Sequence, residues 1–130
     1  MFAAALAAFL VLPMLIAAPA RADDIGDGNP EACWAGEICF YRDSTNEKYQ
    51  RQFWWTADHG GQNWRNTYDH NWWGSVQDDA LLFNNRDTVC MVRVGNLRST
   101  GWDWLYFDRG LGKVWLGGVA NVNDRHERCP

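Results

Sequence analysis

Four cysteines constrain this chain most strongly: Cys33, Cys39, Cys90 and Cys129. They can pair as disulfides only if the chain is exported, because cytosolic thiols stay reduced. The alternative is a zinc site, which uses closely spaced ligand pairs. Cys90 and Cys129 are distant in sequence from each other and from the three histidines, so the spacing does not favour zinc.

Residues 1–22 favour export. Their sequence, MFAAALAAFLVLPMLIAAPARA, is an apolar run too short and too alanine-rich for a membrane span. Ala20-Arg21-Ala22 has the small-x-small pattern that precedes signal-peptidase cleavage. No basic residue precedes Arg21, so Met1 could lie inside a longer leader, and an uncleaved N-terminal anchor is the alternative. We interpret 1–22 as a signal peptide and expect a secreted, extracellular protein.

Export favours disulfides over thiols or metal ligands. Four cysteines allow three pairings, and the sequence alone does not choose among them. Cys33 and Cys39 need only a turn centred on Gly36 to meet. We therefore expect a Cys33–Cys39 bond and a Cys90–Cys129 bond, the second closing the longer loop.

Removing 22 of the 130 residues leaves 108, the size of one domain. Losing Arg21 takes the 12 basic side chains to 11 against 16 acidic ones, a net charge of −5. A surface of this charge disfavours nucleic acid as a partner. We also expect no membrane association and a monomer. Residues 23–32 lack periodicity and bulk, which predicts a flexible N-terminal tail.

The mature sequence is typical of an all-β protein, because almost no segment has helical apolar spacing. Alternation and turn residues predict strands at EICFYR, KYQRQFWW, ALLF, VCMVRV, WDWLYF and KVWL. Asp78-Asp79 and Asn123-Asp124 lie 45 positions apart at similar points. This spacing divides the domain, residues 33–130, into halves of about 33–87 and 88–130, with a longer loop at 56–71 in the first. We predict a sandwich of two Greek-key motifs.

Two motifs resemble a known family. CWAGEICFY resembles the opening C-x5-C-x-Y of secreted actinobacterial proteins grouped as peptidase inhibitor family I36, and VNDR resembles the N-D that ends each Greek key in the βγ-crystallin superfamily. The resemblance covers Cys33 to Cys129. It implies a βγ-crystallin-like fold and a secreted inhibitor of extracellular peptidases, of the metallo or serine type.

The same superfamily resemblance raises the question of calcium. It implies Asp78, Asp79, Asn123 and Asp124 as candidate ligands, completed by a Ser or Thr hydroxyl, since Ca²⁺ prefers hard oxygen ligands. Leu82 and Glu127 occupy the hydroxyl positions here. We therefore expect calcium binding to be weak or absent and no other cofactor. The alternative role for these polar residues is to cap turns.

An inhibitor needs an exposed loop held at both ends. GNLRSTG, residues 95–101, lies between two predicted strands, and Leu97 and Arg98 could enter a hydrophobic and an acidic specificity pocket of an extracellular peptidase. A rigid loop of this kind would bind at low entropic cost. An ordinary hairpin without a partner is the alternative.

The nine tryptophans suggest another function. Most of the rings could fill the core, or some could be exposed as a binding surface, since Trp is seldom fully enclosed. Trp64, Trp72 and Trp73 lie in or beside a polar segment and could stack on sugars. The alternatives to inhibition are therefore a module that binds a polysaccharide or cell-wall surface, and a secreted toxin.

We do not expect an enzyme. The sequence contains none of the common nucleophile, zinc-protease or phosphate-binding motifs. His59 and His70 each follow an aspartate, but neighbouring strand residues point to opposite faces and do not form a dyad. We predict that both histidines lie at the surface or in turns.

Overall fold

A computed structural model describes residues 33–43 and 48–130 of the chain; the predicted signal peptide, 1–22, and tail, 23–32, lie outside the described residues. The described part is all-β, and its only helical segment is a short 3₁₀ turn at Gly117–Val119. The strands are β1 (Ile38–Tyr41), β2 (Tyr49–Phe53), β3 (Ala57–Asp58), β4 (Asn63–Asn66), β5 (Trp72–Ser75), β6 (Leu82–Asn85), β7 (Val92–Arg98), β8 (Gly101–Phe107), β9 (Lys113–Trp115) and β10 (Arg125–Arg128).

The strands form two antiparallel sheets. The first has the order β5-β4-β2-β1-β6-β9, and the second has the order β3-β10-β7-β8. β1, β2, β3 and β6 form one four-strand unit, and β7 to β10 form the other. Each unit places its first, second and fourth strands in one sheet and its third strand in the opposite sheet. This exchange of third strands produces the predicted βγ-crystallin-like sandwich of two Greek keys.

Aromatic and β-branched side chains fill the space between the sheets. The Phe40 ring lies 5.8 Å from that of Phe53 and 5.0 Å from that of Phe83, all in the first sheet. Phe107 of the second sheet lies 4.7 Å from Phe83 and joins the two layers. Val92 and Val94, which alternate on β7 as predicted, complete the same cluster. The core therefore comes from both Greek keys.

One hairpin departs from the two-fold repeat. β4 and β5 are inserted between the third and fourth strands of the first unit and extend the first sheet at its edge. The prediction of a loop at 56–71 is wrong, because this range contains β3 and β4. Most residues in this range are polar, so the two strands lack the apolar alternation by which strands are predicted. The inserted hairpin carries Trp64, Trp72 and Trp73.

Two disulfides link Cys33 with Cys39 and Cys90 with Cys129, which is the expected pairing. Gly36 has a φ of 98° in the turn between the first pair, a conformation that favours glycine. The second bond joins the residues just before β7 and just after β10, which pair in the second sheet. In the described ranges, no helix is long and apolar enough to span a membrane.

Candidate functional site

Only one of the nine tryptophans is buried. Six have exposed fractions between 38% and 65%, and two are half-buried. The alternative in which most rings fill the core is wrong, because phenylalanine, valine and isoleucine already occupy it. The buried ring is that of Trp64, whose indole N–H donates to Asp79 Oδ2 at 3.0 Å. Trp64 is therefore unavailable to a ligand, which corrects its predicted place in the binding surface.

Trp72 and Trp73 lie on β5, the outermost strand of the first sheet. All four residues of β5 are exposed, and the two indoles are 44% and 43% exposed. Successive strand residues project to opposite faces, so the two rings flank the edge of the sheet. The Trp73 ring stacks on that of Tyr49, with centroids 4.8 Å apart. We call these three rings the tryptophan edge.

Cationic side chains surround the tryptophan edge. Each lies within the ~6 Å at which a cation is attracted to an aromatic face. Such contacts restrict the rings before any ligand arrives. The four cations are Arg42, 4.1 Å from Trp73; Arg51, 4.9 Å from Trp72; Arg65, 5.2 Å from Trp72; and Lys48, 5.2 Å from Tyr49.

A second aromatic arrangement lies on the second sheet. Trp102 and Trp104 alternate on β8 and stack with centroids 4.8 Å apart and planes 17° from parallel. Gly95 lies opposite Trp104 on β7, where a Cβ atom would be 2.5 Å from the Trp104 ring. The missing side chain lets the rings lie across β7. The Arg93 guanidinium lies 4.2 Å from the Trp104 centroid. We call Trp102, Trp104 and Arg93 the tryptophan ladder.

Charged side chains beside the tryptophan ladder neutralise one another. Arg93 Nε donates to Glu127 Oε2 at 2.8 Å, and Arg125 Nε donates to Oε1 of the same carboxylate at 3.1 Å. Arg125 also donates to Asp58 Oδ1 at 2.7 Å. The hydrogen bonds from Arg93 lower the pKa of Glu127, so this carboxylate is ionised at neutral pH. Two guanidinium groups therefore face two carboxylates.

Leu97 and Arg98, the predicted peptidase contacts, lie in a strand. β7 ends at Arg98 and β8 begins at Gly101, so the turn between them has two residues. The predicted loop at 95–101 is wrong, because β7 and β8 pair along their whole length and Leu97 lies opposite Trp102. Both predicted contacts nevertheless remain exposed near the tip of this hairpin.

The β7–β8 hairpin is held by two polar contacts. The Leu97 N–H donates to Asp124 Oδ2 at 2.7 Å. Arg98 forms an ion pair with Asp103 at 2.5 Å, although both side chains are more than half exposed. Exposed pairs of this kind contribute little to stability. The backbone contact from Asp124 is therefore the stronger restraint.

The four candidate calcium ligands are placed in two groups. Asp78 lies beside Asn123 and Asp124, and its backbone N–H donates to Asn123 O at 3.1 Å. Partial desolvation and the nearby Asp124 carboxylate raise the pKa of Asp78. Asp79 turns away and accepts a hydrogen bond from Arg42 Nε at 2.6 Å.

The polar atoms of these residues make internal hydrogen bonds. Asp124 Oδ1 accepts from Gln77 Nε2 at 2.6 Å, while Asn123 Oδ1 accepts from the Ala80 N–H at 2.9 Å. Leu82 offers no oxygen, and Glu127 pairs with Arg93 and Arg125. These contacts favour a role in joining the two Greek keys, and weak or absent calcium binding stays a prediction.

His59 and His126 form a buried pair that the sequence patterns did not indicate. Both side chains have no exposed surface, and their rings meet between the sheets. His59 lies in the turn that follows β3, which is one of the two predicted positions, and the Gln62 N–H donates to its carbonyl oxygen at 3.1 Å. Its ring is nevertheless buried against Phe40 and Phe53 and not at the surface. His70, by contrast, is exposed. Burial lowers the pKa of His59 to about 4, which keeps its ring neutral.

Among the described residues, one group of three side chains has the composition of a metal site. It consists of Cys33, Glu37 and Cys39. Both sulfur atoms are joined in a disulfide, so they are not thiolate ligands. This cluster therefore supports the structural role predicted for the cysteines.

Comparisons with protein-family models, with curated proteins and with solved structures found no match for this chain. The resemblance to peptidase inhibitor family I36 therefore stays an expectation drawn from sequence motifs. The βγ-crystallin-like topology rests on the strand order and the exchange of third strands between the sheets.

Proposed function

We propose that this protein is an exported, non-enzymatic module that binds an extracellular polysaccharide through the tryptophan edge. One observation carries the proposal: the hairpin that breaks the two-fold repeat presents two adjacent exposed indoles, Trp72 and Trp73, on an edge strand. Both rings lie outside the core, which other side chains fill. Exposed aromatic side chains grouped at one edge of a sheet are typical of binding sites.

The chemistry of the tryptophan edge suits a sugar chain. A pyranose ring has an apolar C–H face that packs on an indole, while its hydroxyl groups need polar partners. Both are present, since Arg42 and Arg65 lie beside the indoles. The stacking of Trp73 on Tyr49 fixes one ring in advance and reduces the entropy lost on binding.

The test is affinity electrophoresis of the mature protein in gels containing neutral or acidic polysaccharides, with sedimentation on insoluble cellulose, chitin and peptidoglycan. We expect retention on at least one polysaccharide. Trp72→Ala and Trp73→Ala should each weaken binding, and the double variant should abolish it. Trp115→Ala is the matched control, since this ring is 65% exposed on β9, the opposite edge of the same sheet. Absence of binding to every polysaccharide would contradict the proposal.

Peptidase inhibition is the second candidate, and the β7–β8 hairpin favours it. Leu97 is 56% exposed, and its backbone is held by Asp124. A hairpin restrained in this way could enter a protease cleft with little loss of entropy. Assays with a thermolysin-type metalloprotease, a subtilisin and a trypsin test this role. Inhibition that disappears in Leu97→Gly with Arg98→Gly would support it, and no inhibition of any of the three would contradict it.

A further inference from the structure

We propose that this chain forms a symmetric dimer in which β8 of one copy pairs antiparallel with β8 of a second copy. β8 (Gly101–Phe107) is the last strand of the second sheet and pairs with β7 on one side only. The dimer therefore joins the second sheets of both copies into one. This inference goes beyond the proposed function and does not depend on it. It replaces the monomer that we expect from the sequence alone.

β8 differs from the other three strands that end the two sheets in the described ranges. Exposed strand edges are usually short, bent by a bulge, or marked by lysine or proline. β3 has two residues, β9 has three and begins with Lys113, and β5 has four and pairs through an irregular register. β8 has seven residues without lysine or proline, and it pairs with β7 without a register shift. Its backbone is therefore a template for another strand.

The hydrogen bonds of β7 establish which backbone groups of β8 point outward. Gly95 O accepts from the Asp124 N–H, and the Leu97 N–H donates to Asp124 Oδ2, both on the side of β7 away from β8. Backbone groups alternate in direction along an antiparallel strand. The intervening residues of β7 therefore face β8 and bond to the residues opposite them. The outward-pointing groups of β8 are the N–H and C=O groups of Trp102, Trp104 and Tyr106.

These three residues are complementary to themselves. In an antiparallel pair with its two-fold axis at Trp104, this residue lies opposite its own copy, and Trp102 lies opposite Tyr106 of the second copy. Opposed residues of this type exchange both of their N–H···O bonds. Each copy contributes three donors and three acceptors, so six hydrogen bonds satisfy every outward-pointing group. Three pairs of aromatic side chains also meet across the junction, and such pairs stabilise neighbouring strands.

Space for the second strand is present beside β8. A groove of about 370 Å³ is bordered by Trp102 and Trp104 from one face of the strand and by Leu105 from the other. Only the side of β8 opposite β7 can be reached from both faces, so the groove lies at the outward-pointing groups. Gly118 and Val119 form its far wall.

Charge does not oppose contact between two copies at β8. The chain as a whole has a net charge of −4, which disfavours contact between copies. The two guanidinium groups beside the tryptophan ladder, however, are balanced by two carboxylates. Asp103, the one charged residue of β8, forms an ion pair with Arg98 at 2.5 Å. The surface around β8 is therefore close to neutral, as an interface between identical copies requires.

Amide hydrogen exchange of the unaltered protein, followed by NMR, tests the proposal directly. The N–H groups of Trp102, Trp104 and Tyr106 should exchange at least about threefold more slowly at about 1 mM than at about 20 μM protein, because dimerisation follows mass action. Asp103 and Leu105 are the internal controls, since their N–H groups bond to β7 and should be equally protected at both concentrations. Sedimentation equilibrium over the same range should show the mass rising from monomer to dimer.

Two variants at one position separate the backbone bonds from the side chain. Tyr106→Pro removes an outward-pointing N–H, which an edge strand tolerates. Tyr106→Ala loses the same ring and keeps the N–H. The proline variant should have a dimer Kd at least about tenfold higher than the alanine variant, because two of the six hydrogen bonds are lost. Equal Kd values would contradict pairing through β8.

The remaining outcomes are equally decisive. A monomer at 1 mM with fast exchange at all three N–H groups would overturn the dimer and leave β8 open to an extended segment of another protein. Equal protection at both concentrations would overturn it too, because another segment of the same chain would then cover β8. A dimer whose dissociation leaves these exchange rates unchanged would place the interface elsewhere. None of these measurements involves a polysaccharide, so this inference and the proposed function can fail separately.

Discussion

His59 Nε2 lies 2.9 Å from His126 Nδ1 between the two sheets. His126 Nε2 lies 2.7 Å from the Trp55 carbonyl oxygen and must donate to it, so His126 Nδ1 is an acceptor and His59 Nε2 donates to it. His59 Nδ1 then accepts from Asn123 Nδ2 at 2.6 Å. One choice of tautomers, with both imidazoles neutral, therefore satisfies every donor and acceptor in this series of hydrogen bonds.

Acid should destabilise the protein through this histidine pair. Burial lowers the pKa of His59 to about 4, and burial together with the His59 ring lowers that of His126 well below its usual value. The unfolded chain, whose histidines titrate near 6.5, binds more protons than the folded protein below that pH. The free energy of unfolding should therefore fall by up to about 1.4 kcal/mol per pH unit for each histidine as pH drops from 6.5 toward 4.

Urea unfolding at pH 7.0, 6.0 and 5.0 measures this effect. His70→Gln is the matched control, because His70 is exposed and its loss should leave the pH dependence unchanged. His126→Gln removes one titrating ring and should flatten the curve. An unfolding free energy that stays constant from pH 7 to pH 5 in the unaltered protein would contradict the prediction.

The second prediction concerns Asn123, which has no exposed surface and joins the two Greek keys. Its Nδ2 donates to Val76 O at 2.9 Å and to His59, and its Oδ1 accepts from Ala80 N–H. Asn123→Asp keeps the shape, removes both donors and buries a charge. We expect a loss of at least about 3 kcal/mol in the free energy of unfolding, because two buried acceptors lose their partners.

Asp78→Asn is the reciprocal control. Asp78 occupies the corresponding position of the first half, is exposed, and has a φ of 58° that asparagine also tolerates. Its replacement should change the free energy of unfolding by no more than about 0.5 kcal/mol. Denaturant unfolding of both variants at pH 7 measures the two changes. Similar losses of unfolding free energy in the two variants would contradict the role of Asn123 in joining the two Greek keys.

Strands with alternating apolar residues could be predicted from the sequence, whereas strands made mostly of polar residues could not. β7 was evident from Val92 and Val94, which point to the core as expected. β10, with the sequence RHER, offers no apolar residue, yet His126 faces the core, where its two ring nitrogens meet His59 and the Trp55 carbonyl oxygen. That pairing joins residues 67 positions apart, so no local pattern could reveal it.

The exposure of the tryptophan edge could be predicted in part from the sequence, whereas the tryptophan ladder could not be predicted. The polar surroundings of Trp72 and Trp73 indicated exposure, but the same criterion placed Trp64 with them. Trp64 faces the core because it lies on the inner side of β4 and bonds to Asp79. The ladder depends on the register that sets Gly95 opposite Trp104, and register follows from long-range pairing.

The third prediction tests that register. A Cβ atom at Gly95 would lie 2.5 Å from Trp104 and 2.9 Å from Trp102, so both rings must move in Gly95→Ala. We expect the free energy of unfolding to fall by about 1–3 kcal/mol, the cost of overpacking. The near-ultraviolet circular dichroism of the stacked indoles should weaken as well. Gly118→Ala is the control, because no atom lies within 4 Å of its added Cβ. It should change the free energy of unfolding by no more than about 0.5 kcal/mol and leave the near-ultraviolet circular dichroism unchanged.

The last prediction ranks the two disulfides. Cys90–Cys129 joins residues 39 positions apart, and Cys33–Cys39 joins residues 6 apart. In the chain-entropy model the larger loop restricts the unfolded chain more, so its bond contributes about 4 kcal/mol and the smaller one about 2 kcal/mol.

Paired serine variants of each disulfide test the ranking by urea unfolding without reductant. Cys90→Ser with Cys129→Ser should be the less stable variant, because it also releases the ends of β7 and β10, which pair directly. Serine is close to cysteine in size, so both variants lose a covalent link and little volume. If the variant without Cys33–Cys39 were the less stable one, this bond would stabilise the fold more than Cys90–Cys129 does. Loop length would then not explain the contributions of the two disulfides.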